Sequence, residues 1–261
     1  MNLVVTTVYK PTESTKTLAA ELAEKLAVPL VAREKCSLDT IRRNHQVTNV
    51  LVATKTGPVV HTSGGQYFFH INMAELRINN LIIGKHDHMI AALGITPGTT
   101  ILDCTLGLGT DAIVASYATG DLGRVVGLET SPVIAAVTAF GLRCYDAAAD
   151  IVTSSLRRIE VKNADYNEYL DTLPTASFDV VYFDPMFRVP IYSSSNLKPL
   201  RTLADSRALT PEAITKACRI AKRRVVVKEA RGSKEFNRLG ITTIIGGKYS
   251  SIHYGVLETG G

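Results

Sequence analysis

The chain has 261 residues, of which 46% are hydrophobic and 20% are charged, as in a globular protein with a sizeable core. This composition excludes collagen-like, coiled-coil and disordered chains. The net charge of +5 hides an imbalance, because residues 188–239 carry 13 Lys or Arg against 4 Asp or Glu, whereas residues 94–187 carry 5 against 12. We expect the basic segment either to attract phosphate groups or to form a solvated helix face.

The cysteines and the amino terminus indicate a reducing compartment. The four cysteines lie far apart and show no Cys-x-x-Cys spacing, so we expect free thiols and no zinc site. His86-Asp87-His88 lacks a third spaced ligand, so it predicts a capped helix start and not a metal site. Residues 1–8 resemble a strand and not a signal peptide, and no run of about 18 apolar residues occurs. We therefore expect a cytoplasmic protein without a bound metal.

The first seventy residues predict a small α/β unit. An apolar run over 3–8 is followed by Leu18, Leu22 and Leu26 at helical spacing, and a short helix is expected after Ser37. Three apolar stretches separated by Gly-Pro and Gly-Gly turns then predict strands. We place this N-terminal unit at residues 1–70.

The rest of the chain, residues 71–261, predicts a second and larger domain. Residues 71–93 form a bridge that is helical only from about residue 86. Strands and helices then alternate, which is typical of a parallel sheet with crossover helices. Two C-terminal strands around Gly246-Gly247 predict an antiparallel hairpin. The predicted fold class is α/β: a Rossmann-like, mostly parallel sheet with an antiparallel C-terminal hairpin, plus the small N-terminal unit. The predicted strands are 100–104, 125–128, 160–162, 180–183, 224–228, 241–245 and 250–257, and the predicted helices are 110–117, 132–148 and 210–221.

A glycine-rich turn follows the first of these strands. Gly107 and Gly109 leave room for a ligand to approach the backbone, while the amides at the start of the next helix face that ligand. The run Gly107-Leu-Gly109-Thr-Asp-Ala112 also fits the dinucleotide fingerprint, with Glu129 about twenty residues further on. An NAD-dependent dehydrogenase is therefore one alternative.

Acidic residues near the predicted strand ends favour S-adenosylmethionine (SAM) over NAD. Asp103 lies four residues before Gly107, in the pattern Asp-x-Thr105-x-Gly-x-Gly, where a carboxylate can hold the cationic amino group of a methionine moiety. Glu129 can accept hydrogen bonds from both ribose hydroxyls, because its two oxygens match a vicinal diol. Asp165 can accept one from the adenine amino group. SAM is the predicted cofactor.

The run Asp184-Pro185-Met-Phe187 follows a buried-strand pattern and is predicted to be the catalytic turn. An exocyclic amine conjugated to a base ring is a poor nucleophile, because its lone pair is delocalised. Hydrogen bonds to the Asp184 carboxylate and the Pro185 carbonyl would hold the amine and aim its lone pair at a methyl group, so alignment contributes most of the rate. Phe187 offers a face on which an extruded base can stack, worth about 1–3 kcal/mol.

These motifs resemble those of class I SAM-dependent methyltransferases, and among them the RsmJ-type guanine-N2 methyltransferases of small-subunit ribosomal RNA. The resemblance covers about residues 71–257. It implies further cofactor contacts from Thr110, Asp111, Thr130, Ala164 and Asp184. The motifs that carry it are Asp103-Cys-Thr-Leu-Gly-Leu-Gly-Thr-Asp111-Ala112, Glu129 with residues 132–136, Asp184-Pro-Met-Phe187, and Arg223-Arg-Val-Val-Val-Lys228.

The predicted function is SAM-dependent methylation of an exocyclic amino group, guanine N2 of ribosomal RNA, with structured RNA as the partner. Arg188, Arg201 and Lys228, in the basic segment, are the predicted substrate contacts. Two alternatives stay open: an N-methyltransferase that acts on a protein amide or a small molecule, and a non-catalytic RNA-binding protein that retains the fold.

Overall fold

The computed structural model describes residues 2–186 and 203–260, which form two β-sheets with helices packed on their faces. The small sheet contains β1 (Leu3–Thr7), β2 (Asn49–Thr54), β3 (Gly57–Thr62) and β4 (Gly65–Phe68). The large sheet contains β5 (Thr100–Asp103), β6 (Arg124–Glu129), β7 (Ile159–Asn163), β8 (Phe178–Phe183), β9 (Ala221–Ala230), β10 (Thr243–Ile245) and β11 (Ile252–Glu258). The helices are α1 (Glu13–Leu26), α2 (Leu38–His45), α3 (Asn72–Ile82), α4 (His88–Leu93), α5 (Thr110–Thr119), α6 (Pro132–Cys144), α7 (Asp150–Arg157), α8 (Tyr166–Thr172), α9 (Pro211–Ile220) and α10 (Glu235–Arg238).

The large sheet has the strand order β10-β11-β9-β8-β5-β6-β7. Strands β7, β6, β5, β8 and β9 are parallel, and β11 runs antiparallel between β9 and β10. This arrangement confirms the predicted Rossmann-like fold with its antiparallel C-terminal strands. Strand order reverses at β5, which pairs with β6 on one side and with β8 on the other, and open α/β sheets bind ligands at such a point.

Alternating side chains along β8 show how the large sheet is buried on both faces. Val180 and Tyr182 belong to one apolar cluster, whereas Val181 and Phe183 belong to the cluster on the opposite face. All four side chains are at most 2% exposed. Because successive side chains in a strand point to opposite faces, such a strand needs helices on both sides.

The small sheet packs against α6, a helix that also covers the large sheet. Val133 and Val137 of α6 share an apolar cluster with Leu3 and Leu51 of the small sheet. Strands β1 and β2 are parallel, and β3 and β4 continue the sheet antiparallel. The division of the chain at residue 70 stays a prediction, but α6 links the small sheet to the cofactor edge of the large one.

Three helical segments differ from the sequence predictions. Helix α3 lies in the predicted bridge; it has no side-chain N-cap, and it is held by burial of Ala74 and Ile78. Helix α8 was not predicted either. The helix predicted over 132–148 ends at Cys144, because Tyr145 is extended, and α7 follows as a separate helix. Within the described residues, no helix is long and apolar enough to cross a membrane.

Candidate active site

The loop between β5 and α5 opens at the carboxyl edge of the large sheet. Gly107 and Gly109 have φ values of 54° and 77°, which glycine adopts without strain. No described atom lies within 4 Å of the place that a Cβ on Gly107 would take, so the space in front of this residue is open. Thr138 of α6 fixes the loop by donating its hydroxyl to the Gly107 carbonyl at 2.7 Å. Thr110 begins α5 directly after the loop, as predicted.

Asp103, the last residue of β5, is a buried carboxylate, only 3% exposed, without a cationic partner among the described residues. Its Oδ1 accepts a hydrogen bond from the Thr105 N–H at 3.0 Å, and its Oδ2 accepts none within the part of the chain that the structure describes. Burial, with repulsion from Asp111 and Asp184, raises the pKa of Asp103 to about 8. A bound ammonium group would supply the missing counter-charge.

Glu129, the last residue of β6, joins the glycine loop to the start of α6. Its Oε2 accepts from the Gly107 N–H at 3.0 Å, and its Oε1 accepts from the Ser131 N–H at 2.8 Å. Burial raises the pKa of Glu129. Each carboxylate oxygen has a second lone pair, so Glu129 can hold the loop and still accept from a ribose diol.

Thr130 and Ala164 lie beside Glu129, at the ends of neighbouring strands. The Ala164 N–H donates to the Glu129 carbonyl at 3.1 Å. A cavity begins at Thr130 and runs between the start of α6 and the small sheet, where Asn2 and Asn49 line it. The N-terminal unit therefore forms one wall of the space next to the predicted ribose contact.

Asp165, the predicted adenine contact, caps α8 and binds an arginine. Its Oδ1 accepts from the Asn167 N–H at 2.9 Å, and its Oδ2 accepts from Arg207 at 2.6 Å. Burial alone would raise the pKa of Asp165, but the Arg207 guanidinium outweighs burial and lowers it. The arginine therefore lies where an adenine amino group is expected, and the adenine contact stays a prediction.

The predicted catalytic turn lies next to the cofactor loop. The Asp184 N–H donates to Thr105 Oγ1 at 2.6 Å, which ties the end of β8 to the loop after β5. Pro185 follows it. Asp184 Oδ2 accepts from Lys228 at 2.7 Å, while Asp184 Oδ1 has no partner among residues 2–186 and 203–260. One carboxylate oxygen is thus available to a substrate, beside the loop that carries Asp103.

Asp111 lies at the centre of a buried group of charges behind this turn. Its Oδ1 accepts from Arg77 at 2.5 Å, and its Oδ2 accepts from Tyr182 Oη at 2.7 Å and from Lys228 at 2.8 Å. Arg77 also binds both oxygens of Asp87, at 2.8 and 3.0 Å. Burial alone would raise the pKa of Asp111, but Lys228 and Arg77 outweigh it and hold the pKa well below its usual range. Both oxygens of Asp111 already have partners, so its predicted cofactor contact stays a prediction.

The structure places only some of the predicted substrate residues. Phe187, Arg188 and Arg201 lie outside the described residues. Lys228 lies on β9, and its ammonium group contacts carboxylates in the site. Its role as a substrate contact stays a prediction.

Sequence reasoning missed most of the partners of these groups. The sequence alone does not decide whether Arg77 is a buried ion-pair partner or a phosphate contact, and its motifs do not point to Tyr182 or Arg207. Arg77 and Asp87 precede the domain motifs by tens of residues, so only the fold brings them to Asp111. The apolar periodicity around Arg77 (Ala74, Ile78) was the signal that could have indicated a buried cation.

The predicted cofactor fits these residues. SAM carries an ammonium group, a sulfonium and a ribose diol. Among the described residues, the site offers a buried carboxylate without an ion pair at Asp103, an open turn at Gly107 and acceptor oxygens at Glu129. Within the described residues, no three His, Cys, Asp or Glu side chains are grouped as metal ligands.

Comparisons with known proteins agree with the predicted fold and cofactor. The family model described as "Putative SAM-dependent methyltransferase" matches residues 46–251. The chain is similar over nearly its whole length to YpiP of Bacillus subtilis, with 36% identity over 256 residues, covering 98% of this chain and 99% of that protein.

Two further proteins are similar to this chain over part of its length or in fold alone. Ribosomal RNA small subunit methyltransferase J of Coxiella burnetii is 34% identical over 153 residues, and the match spans 57% of this chain and only 58% of that relative. The crystal structure of the SAM-dependent methyltransferase NGO1261 from Neisseria gonorrhoeae matches with a TM-score of 0.63 and 19% identity, over 98% of this chain and 95% of that one. At this identity the likeness concerns the fold alone, and it includes the small N-terminal sheet.

Proposed function

Because the chain belongs to the SAM-dependent methyltransferase family and takes SAM as its methyl donor, we propose that it methylates an exocyclic amino group, guanine N2 of ribosomal RNA. Bound SAM supplies a methyl group on a positively charged sulfur. The protein must then bring a weakly nucleophilic nitrogen to that methyl group. The turn at Asp184 supports this choice of acceptor.

Oδ1 of Asp184, which has no partner among the described residues, carries the proposal. This oxygen can accept a hydrogen bond from an amino group, and Thr105 fixes the turn beside the cofactor loop. Orientation of this kind can supply about 7–11 kcal/mol of the barrier in favourable cases. The nitrogen releases one proton after methylation, which can pass to Asp184 or to water.

An exposed basic and aromatic surface supports RNA as the substrate. We call it the basic strip: Arg231, Lys234, Lys248 and Tyr249. Arg231 donates to the Lys248 carbonyl at 2.6 Å, Lys248 Nζ lies 5.5 Å from the Tyr249 ring centre, and Tyr249 is 89% exposed. The strip follows the carboxyl end of β9, the strand that carries Lys228, so it lies at the same edge as Asp184. Cations with an exposed aromatic ring suit phosphates and an unpaired base.

Most other cations of the described basic segment are already paired inside the protein, whereas the three cations of the strip form no ion pair with a described residue. Arg219 and Arg223 likewise form no ion pair with a described residue, so the unpaired charge of the described segment is shared between these two arginines and the strip. The name of the Coxiella relative agrees with an RNA substrate. The paired cations are Arg207 with Asp205, Lys216 with Asp171, Lys222 with Asp179, Arg224 with Glu258, Lys228 with Asp111 and Asp184, and Arg238 with Glu235.

The reaction is tested with tritiated SAM and with small-subunit particles, free ribosomal RNA, protein and metabolite fractions from cells lacking the gene. We expect label in ribosomal RNA and N2-methylguanosine after digestion to nucleosides. The Asp184→Ala variant should bind SAM in calorimetry but lose about 10²–10⁴-fold in rate. Label in protein or metabolites, or a methyl group on carbon or oxygen, would contradict the proposal.

The RNA surface is tested by the salt dependence of binding. Changing the three cations of the strip to Gln should weaken binding and reduce the slope of log K against log salt by about 2, because each lost phosphate contact removes roughly 0.7–0.9. The matched control changes Lys10, Lys16 and Lys25 to Gln, three exposed lysines of the N-terminal unit. Equal effects of the two triple changes would remove the support that the strip gives to an RNA substrate.

A further inference from the structure

Lys228 is held inside the site between two carboxylates. Its Nζ lies 2.7 Å from Asp184 Oδ2 and 2.8 Å from Asp111 Oδ2, and its side chain is only 19% exposed. A lysine that binds RNA phosphate would present its ammonium group to solvent. Here the ammonium group points to the catalytic turn instead.

The contact with Lys228 gives the two carboxylate oxygens of Asp184 different roles. Oδ2 is taken by Lys228, the backbone N–H of Asp184 is taken by Thr105, and Oδ1 has no partner in the described part of the chain. Asp184 is therefore held at its backbone by Thr105 and at one carboxylate oxygen by Lys228, which leaves the other oxygen to point in one direction. A carboxylate free to rotate would lose part of the advantage of alignment.

Lys228 is fixed in turn by a chain of alternating charges. Asp111 receives hydrogen bonds from Lys228, Tyr182 and Arg77, and Arg77 binds Asp87 through two nitrogens. Asp87 caps the start of α4 by accepting from the backbone N–H groups of the first helical turn. The chain thus runs from the start of α4 to the catalytic turn, and every charge in it lies beside an opposite one.

We propose that Lys228 is a positioning residue that keeps the Asp184 carboxylate ionised and aims its free oxygen at the substrate amine. The inference rests on the proposed N-methylation. Lys228 keeps its own proton throughout, so it acts through Asp184 and not on the reacting atoms.

Removal of the Lys228 charge should change how Asp184 titrates. Burial raises the pKa of Asp184, and Lys228 opposes that rise. Without the cation, Asp184 would hold its proton to a higher pH, and a protonated carboxyl has one acceptor fewer for the amine. The acid limb of the rate profile should therefore move to higher pH.

The experiment measures kcat and KM against pH for the wild type, Lys228→Met and Lys228→Arg, with ribosomal RNA and saturating SAM. We expect Lys228→Met to lose at least about 100-fold in kcat at pH 7, to move the acid limb up by about one pH unit or more, and to change KM for RNA less than threefold. Lys228→Arg should restore the wild-type acid limb with a partial kcat. The control is Lys222→Met, a half-exposed lysine at the start of the same strand.

The other possible results distinguish a positioning role of Lys228 from direct RNA binding and from failure of the proposed function. A raised KM with unchanged kcat and pH profile for Lys228→Met would overturn the inference and make Lys228 an RNA contact. If Lys228→Met does not fold, the double change Lys228→Met with Asp111→Asn removes the repulsion between the two acids, and a smaller shift of the acid limb in the same direction is expected, because Lys228 affects the pKa of Asp184 more than Asp111 does. A shifted limb in Lys228→Arg would also overturn the inference. A wild type that methylates no amine would instead contradict the proposed function.

Discussion

Two groups of acidic residues meet at the same edge of the large sheet, and only one of them has cations of its own. Asp87, Asp111 and Asp184 contact Arg77 or Lys228, whereas Asp103 contacts no cation among the described residues. The difference indicates where positive charge is supplied by the protein and where it must come from a ligand.

The opposite pKa shifts of two neighbouring acids express this difference. Burial raises the pKa of Asp103 to about 8, because Lys228 makes no direct contact with it and lowers its pKa only weakly, whereas Lys228 and Arg77 contact the buried Asp111 and lower its pKa. Glu129 is intermediate, because backbone N–H groups and not cations support its charge, and burial raises its pKa. Asp111 therefore stabilises the folded protein, whereas Asp103 stays the predicted contact of the cofactor's ammonium group.

The largest expected effect comes from breaking the paired group. Arg77→Met leaves Asp87 and Asp111 buried without that cation, and the loss of one partner of a buried pair costs about 3–5 kcal/mol of unfolding free energy. Thermal and urea unfolding measure it. The control Lys16→Met breaks an exposed pair with Glu13 and should cost under about 1 kcal/mol. Equal losses in the two variants would mean that the buried pairing does not stabilise the fold.

A substitution at Asp103 should change the stability of the protein in the opposite direction. At neutral pH, folding forces Asp103 to take up a proton that the unfolded chain has released, so Asp103→Asn should stabilise the cofactor-free protein by roughly 1–3 kcal/mol and weaken SAM binding about 10- to 100-fold. Unfolding and calorimetry on the same samples test both effects. Asp121→Asn, at an exposed acid, is the control and should change neither. A destabilised Asp103→Asn protein with unchanged SAM affinity would contradict the claim that the cofactor, and not the protein, supplies the counter-charge for Asp103.

Asp103 should also make the stability of the protein and its affinity for SAM depend on pH. The folded protein keeps the Asp103 proton up to about pH 8, whereas the unfolded chain releases it near its ordinary value of 3.8, so its contribution to stability falls as pH rises between these values. We expect SAM to bind the ionised form, so its affinity should rise about 25-fold from pH 6 to 7.5, with proton release seen as buffer-dependent heat. Asp103→Asn should remove both slopes, and a wild-type affinity that is flat over this range would contradict the assignment.

The sequence allowed one of these groups to be predicted better than the other. Asp103, Gly107 and Glu129 follow strands at fixed spacing, so local pattern placed them at the cofactor edge, and the alternation of strands and helices predicted the large sheet. The partners of Asp111 could not be found in this way, because Arg77, Tyr182 and Lys228 come from α3, β8 and β9, and only tertiary packing brings them together. Helix α3 itself was missed because it lacks a capping residue.

The smallest expected loss of stability comes from a substitution at Glu129, whose charge is supported by backbone N–H groups and not by cations. Glu129→Gln keeps the shape, but its amide nitrogen would face the N–H of either Gly107 or Ser131, so one of two hydrogen bonds is lost. We expect stability to fall by about 1 kcal/mol and SAM affinity to fall about tenfold, without the change in pH dependence expected for Asp103→Asn.

Calorimetry with SAM and with adenosine separates the contributions of Glu129 and Asp103 to binding, because adenosine keeps the ribose diol and lacks the methionine ammonium. Glu129→Gln should weaken both ligands, while Asp103→Asn should weaken SAM alone. Equal losses for both ligands in both variants would mean that the two carboxylates do not divide the cofactor between them.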